Sequence, residues 1–138
     1  MHQLITLPTV GDARGMLLFA QAHAQVPFDI RRLFALYALP EGARRGSHAH
    51  RAQHQFMMML AGRCRVIVDN GETRVPVLLE NPSTALYAPP MLWLELDDFS
   101  SDAVCVVLTS GDYDEADYIR DRAEFEALVG SPVARSGD

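Results

Sequence analysis

Lysine is absent from the chain, and all twelve basic side chains are arginine. Anion recognition therefore falls to planar guanidinium forks, which suit phosphate oxygens. Cysteine is scarce. Cys64 and Cys105 both sit in apolar runs and read as buried structural thiols, which excludes a disulfide framework. No apolar run reaches membrane-spanning length, because Arg, Gln or Pro interrupts the longest candidates, so no membrane partner is expected. The start, Met1-His2-Gln3-Leu4, lacks a basic region followed by an apolar core, and the expected location is the cytoplasm. Positive charge is outweighed as well: the net charge of −6 argues against nonspecific nucleic-acid binding and leaves any anionic ligand small and locally held. The charge is uneven. Residues 1–74 hold nine Arg against five acids, a net of +4, and residues 75–138 hold three Arg against thirteen acids, a net of −10.

What remains is a chain of 138 residues, 49% hydrophobic and 22% charged, long enough for one buried core and too apolar for disorder. One domain is expected over 1–130, with 131–138 as a flexible tail. Short runs read as strands: residues 3–7, Met16 to Ala20, Ile30 to Leu39, His54 to Leu60, Ala85 to Ala88, Leu92 to Leu96 and Ala103 to Thr109. Parity in the third run puts Arg31, Leu33, Ala35 and Tyr37 on one face and Arg32, Phe34 and Leu36 on the other. The run from His54 to Leu60 is apolar on both parities, as suits a strand covered on two sides. Arg63 to Asp69, then Asn70-Gly71, then Thr73 to Leu79 predicts a hairpin with a type I′ turn, and Pro76 makes its second arm an edge strand or bulge. One helix is predicted over Asp121 to Val129, capped by Asp121. Many short strands split by Gly and Pro, with one terminal helix, indicate an all-β sandwich or barrel.

The chemistry concentrates in Gly42-Ala43-Arg44-Arg45-Gly46-Ser47-His48-Ala49-His50. His48 and His50, one residue apart, share a side of an extended segment. Imidazole titrates near neutrality and can both take and return a proton. Glycine, His-x-His, a polar residue at Gln55 and then Gly62 resembles the first motif of the cupins, which lines a small β-barrel of jelly-roll type. That motif usually has glutamate where Gln55 stands. A second motif, Pro-x-Gly-x-x-His, reads here as Pro89-Pro90-Met91-Leu92-Trp93-Leu94, so its final ligand position is Leu94. Two of the family's four metal ligands are thus replaced by poor or impossible ones, and neither a metal nor another cofactor is expected.

Four segments carry a closer resemblance: Gly11-Asp12-x-Arg14-Gly15, Ile30-x-Arg32, Arg44-Arg45-Gly46-x-His48-Ala49-His50 and Tyr113-Asp114-Glu115-x-Asp117-Tyr118-Ile119-Arg120. In this order and spacing, over about residues 4 to 128, they resemble the sugar 3,4-ketoisomerases. These cupins act on nucleotide-linked 4-keto-6-deoxysugars. The resemblance implies a homodimeric isomerase of deoxysugar biosynthesis that moves a ketone from C4 to C3 through an enediol without a metal. It implies His48 and His50 as base and proton shuttle, with Tyr37 as a donor or hydrogen-bond partner. For the nucleotide sugar it implies Arg14, Arg44 and Arg45 on the diphosphate, Gln55 on the sugar and Trp93 as a wall or stacking surface. Asp114, Glu115, Asp117 and Arg120 read as a structural lock between the last strand and the helix. Leu94 and Met16 depart from the family, which carries polar or smaller residues there. Two alternatives stand beside the isomerase: a sugar-nucleotide-binding cupin without catalysis, and a metal-dependent cupin enzyme.

Overall fold

The computed structural model describes residues 1–130. The tail expected over 131–138 lies outside the described residues. In chain order the strands are β1 (Gln3–Thr6), β2 (Thr9–Asp12), β3 (Gly15–Leu18), β4 (Arg32–Leu36), β5 (Arg45–His50) and β6 (Gln55–Ala61). There follow β7 (Cys64–Asp69), β8 (Arg74–Leu79), β9 (Thr84–Ala88), β10 (Trp93–Asp97), β11 (Val104–Thr109) and β12 (Tyr118–Ile119). A single 3-10 turn, Glu115–Asp117, precedes β12, and helix α1 (Arg122–Gly130) follows it. Asp121 caps that helix by accepting the Ala123 N–H at 3.1 Å.

Two five-stranded sheets, β1-β9-β6-β11-β4 and β12-β5-β10-β7-β8, face each other, with antiparallel pairing throughout. The fold is an all-β cupin jelly roll with a short C-terminal helix. The main core lies between the sheets, where Met57 and Met59 of β6 meet Val66 and Val68 of β7 and Leu94 and Leu96 of β10. The other parity of β6 is also covered. Phe56 and Met58 lie on the outer side of their sheet, under Leu7, Val26 and Phe28. That second cover explains a strand apolar on both faces. A third cluster, Ala49, Trp93, Ile119 and Phe125, seats α1 on the outside of the opposite sheet. Cys64 and Cys105 are buried thiols whose pKa burial pushes up to about 12.

β8 is the edge of its sheet, as Pro76 required. The turn before it differs from the expected type I′. Asp69 pairs with Arg74, so the loop is four residues long, and only Gly71 (φ 94°) takes a positive φ. Asn70 instead accepts the N–H groups of Glu72 and Thr73 through its side-chain oxygen, both at 2.8 Å. Here side-chain hydrogen bonding closes the turn in place of the second left-handed residue. A Cβ on Gly71 would stand 2.3 Å from Val129 Cγ2, so this loop also packs directly on α1.

One irregularity positions the site. Between β5 and β10 the partners run His48↔Leu94, then Gly46↔Glu95, then Arg45↔Leu96, leaving Ser47 as an extra residue. Ser47 (φ 60°) and Gly46 (φ 82°) are both left-handed, and a Cβ on Gly46 would stand 2.7 Å from the Leu94 carbonyl oxygen. This β-bulge turns the strand once between Arg45 and His48.

Candidate active site

A cavity of about 360 Å³ opens between the sheets. His48, Arg44 and Arg45 come to its wall from β5 and the residue before it, with Arg32 from β4 and Gln55 from β6. Arg32 and Gln55 each pair with Thr109 of β11, so they stand in one cross-strand row. The floor is apolar, made by Leu36, Met57, Leu94, Leu96 and Val107. Leu94, 4% exposed, faces the cavity directly opposite His48.

The two imidazoles lie edge to face with centroids 5.2 Å apart. Tyr118 of β12 packs against both, at 4.8 Å from His48 and 4.4 Å from His50. His48 Nδ1–H donates to the Gly46 carbonyl at 3.0 Å, which leaves its Nε2 with a lone pair. Burial first, then the nearby His50, pushes the His48 pKa down to about 4. His50 is only 4% exposed, and its Nδ1–H donates to Asp117 Oδ2 at 2.9 Å. Its Nε2 accepts from Gln55 Nε2 at 3.3 Å. Burial lowers the His50 pKa, against the opposing pull of Asp117. Both rings are therefore neutral near pH 7, each with an unprotonated Nε2.

Positive charge rings the cavity. Among the described residues no carboxylate within ion-pair distance engages Arg32, Arg44 or Arg45. One Arg32 terminal nitrogen is buried without a hydrogen-bond partner, while its Nε donates to Thr109 Oγ1 at 3.3 Å. Arg120 also lines the cavity; it pairs with Glu115 at 2.5 Å and lies over the Tyr118 ring at 4.3 Å. Arg120 and the Tyr113 hydroxyl, which donates to the same carboxylate at 2.6 Å, hold the Glu115 pKa down at about 2.

Three expected site residues are not brought to this chain's cavity. Arg14 sits in the exposed β2–β3 hairpin, paired with Asp12 at 2.6 Å, because that ribbon joins neither main sheet. Met16 is in the same hairpin and is 75% exposed. Tyr37 lies just past the end of β4 on its outward parity, 69% exposed. Trp93 is buried on the far side of its sheet, 5.5 Å from Phe125, and donates to Glu95 at 3.0 Å. It pairs with Asp69, one residue before inward-facing Leu94, so the alternation of the strand turns it away.

Two residues read as a lock in the sequence stand at the site itself. Arg120 lines the cavity and Asp117 bonds His50. The short strand β12 that pairs Tyr118 with His50 brings them there. At two residues it is too brief for any periodicity signal. Arg32 is not among the expected site residues; the features that could have found it are its place in the Ile30-x-Arg32 segment and its shared parity with Phe34 and Leu36, the face of β4 that lines the cavity. No group of three or more His, Cys, Asp or Glu placed to hold a metal occurs among the described residues, and no helix among them is long and apolar enough to cross a membrane.

The comparisons with known proteins agree on one family. The family model described as FdtA: WxcM-like, C-terminal matches residues 1–130. The chain is 37% identical over 128 residues, 93% of this chain and 92% of the relative, to the TDP-4-oxo-6-deoxy-alpha-D-glucose-3,4-oxoisomerase of Aneurinibacillus thermoaerophilus. A 3,4-ketoisomerase from Helicobacter canadensis superposes with a TM-score of 0.91 at 30% identity, covering 94% of this chain and 98% of that one. A sugar 3,4-ketoisomerase from Thermoanaerobacterium thermosaccharolyticum, solved in complex with TDP, gives a TM-score of 0.91 at 30% identity over 94% of each chain.

Proposed function

The chain belongs to the FdtA, WxcM-like family of sugar 3,4-ketoisomerases, and on that premise we propose that it moves the ketone of a TDP-linked 4-keto-6-deoxyhexose from C4 to C3. One observation carries the assignment to residues: neutral His48, with its Nε2 lone pair free, lines a cavity where Arg32, Arg44 and Arg45 have no carboxylate partner among the described residues, and His50 packs beside it. A base removes the proton from C3 while O4 gains one, forming an enediol. The O3 proton then leaves as C4 is protonated, and the ketone has moved with no net change in atoms or electrons. His48, on the cavity wall, is assigned to contact the sugar, and His50 works beside it. Gln55 holds a sugar oxygen. Arg44 and Arg45 take the diphosphate, with Arg32 and Arg120 adding positive potential that favours the developing enediolate in a site of low dielectric. The apolar floor at Leu94 and Leu96 suits the 6-methyl group of a deoxysugar.

The working form is read as a cytoplasmic homodimer. Its support is apolar surface with nothing on it in a single chain: Val10, Met16 and Leu17 of the hairpin, and Leu33 of β4, are 60% or more exposed.

Incubation of the purified protein with TDP-4-keto-6-deoxyglucose tests the reading, with proton NMR of the product. A 3-keto sugar is expected, and His48→Asn and His50→Asn should each lower turnover by about 100-fold or more while TDP binding survives. TDP binding without any 3-keto product would leave a binding protein and end the isomerase reading.

A further inference from the structure

Asp117 does more than lock the chain to its helix. It is 8% exposed, and the 3-10 turn that carries it is placed against β5 by the pairing of Tyr118 with His50. Its Oδ1 accepts the Ala52 N–H at 2.8 Å, and its Oδ2 accepts the Gln53 N–H at 3.4 Å and the His50 Nδ1–H at 2.9 Å. Every one of these partners donates. A carboxylate is the only side chain of this size with acceptors alone on both oxygens.

The consequence passes outward. With its Nδ1 proton given to Asp117, neutral His50 has a lone pair at Nε2, and only the Gln55 amide NH₂ can meet it, as the 3.3 Å contact between the two nitrogens requires. Gln55 is then left with its carbonyl oxygen available to the cavity that it lines. We propose that Asp117 is a positioning residue of the isomerase, setting the direction of the chain Asp117–His50–Gln55 so that His50 keeps a basic Nε2 and Gln55 offers an acceptor to a hydroxyl of the sugar. The inference rests on the isomerase reading for its catalytic part and on geometry alone for its tautomeric part. His48 is the contrast: its Nδ1–H goes to a neutral carbonyl, so no carboxylate is bonded to that ring, and Glu115 acts on it only through space. The charged and titratable groups around His50 are Asp117 from the 3-10 turn, His48 from its own strand, Arg32 from β4, and Tyr118 and Arg120 from β12 and the residue after it. Of these only Asp117 is an anion.

Asp117→Asn tests the idea with almost no change in volume. The Ala52 N–H still demands an acceptor, so the asparagine oxygen stays there and its NH₂ turns to His50 Nδ1. His50 must then carry its proton on Nε2, and Gln55 must reverse. Nitrogen NMR of 15N-histidine-labelled protein near pH 7 reads the tautomer. We expect Nδ1–H at His50 in the unaltered chain and Nε2–H in Asp117→Asn. Turnover should fall about 100-fold or more, TDP affinity should stay within a few-fold, and the acid limb of the pH–rate profile should shift. An Nε2–H tautomer in the unaltered chain overturns the proposal, as does an Asp117→Asn enzyme of full rate. The first readout needs no variant, so a variant that fails to fold leaves the proposal open to refutation. If the unaltered chain makes no 3-keto product, the isomerase reading fails while the tautomer still decides the role of Asp117.

Discussion

Arg45 and His48, three residues apart on β5, point into the same cavity because Ser47 bulges out of the ladder between them: His48 stands opposite Leu94 and Arg45 opposite Leu96. In a regular strand an odd spacing puts two side chains on opposite faces. The bulge therefore brings an anion-binding group and a proton-transfer group to one site.

Gly46→Ala should undo that arrangement. Its φ of 82° disfavours any side chain, and a Cβ would sit 2.7 Å from backbone, the Leu94 carbonyl oxygen, which cannot rotate away. Strain of this kind costs roughly 1–3 kcal/mol, and the His48 Nδ1–H bond to the Gly46 carbonyl would be disturbed with it. Urea unfolding should show a lower midpoint, and turnover should fall more steeply than the loss of folded protein explains. An alanine variant of unchanged midpoint and rate would mean that the bulge is not needed.

Much of this was legible beforehand, and the parts that were not share a cause. The grouping of Arg32, Phe34 and Leu36 on one face of β4 follows from period-two alternation, the edge position of the Pro76 strand from proline's missing N–H, and the double-faced burial of Phe56 to Met59 from a run apolar on both parities. Arg14 was assigned by its segment and Tyr37 by the family resemblance, and neither says that the hairpin stands apart from the two main sheets or that β4 ends at Leu36. Trp93 is a different case. Alternation with Leu94 turns it outward, a constraint available from the strand pattern itself. The bond between Asp117 and His50 spans 67 residues and depends on a two-residue strand, so no local pattern could show it.

Acid should weaken both function and fold through the histidines. The His48 pKa is lowered from 6.5 to about 4 by burial, and that of His50 is lowered too. The catalytic free base should therefore persist well below pH 6.5, and the acid limb of kcat/KM should fall between about pH 6 and 4. For stability, the unfolded chain binds protons at these positions first, so the contribution is complete above pH 6.5 and is lost progressively as pH falls toward about 4. Glu115 also has a depressed pKa, moved from 4.5 to about 2, and its contribution is lost in the lower window between those values. Urea midpoints at pH 7.5, 6 and 5 check this. A decline is expected across that range, and it should be smaller in His48→Asn; a flat series in both would refute the assignment.

The arginines make the sharpest test of where the nucleotide lies. Arg45 is at the cavity wall without a carboxylate partner, whereas Arg31 is on the outward parity of the neighbouring sheet and is paired with Asp112 at 3.3 Å. A hydrogen bond to a charged group contributes about 1.5–3 kcal/mol, so Arg45→Ala should weaken TDP binding by roughly 10- to 100-fold. Arg31→Ala, which removes the same charge from the other face, should leave affinity within two-fold. Calorimetric titration with TDP measures both. Net charge alone cannot produce the difference, because the two variants alter it equally. Raising salt should also weaken binding to the unaltered chain more than to Arg45→Ala, since one screened contact has already gone. Equal losses in the two variants would place the diphosphate in a general positive field and remove the specific role assigned to Arg45.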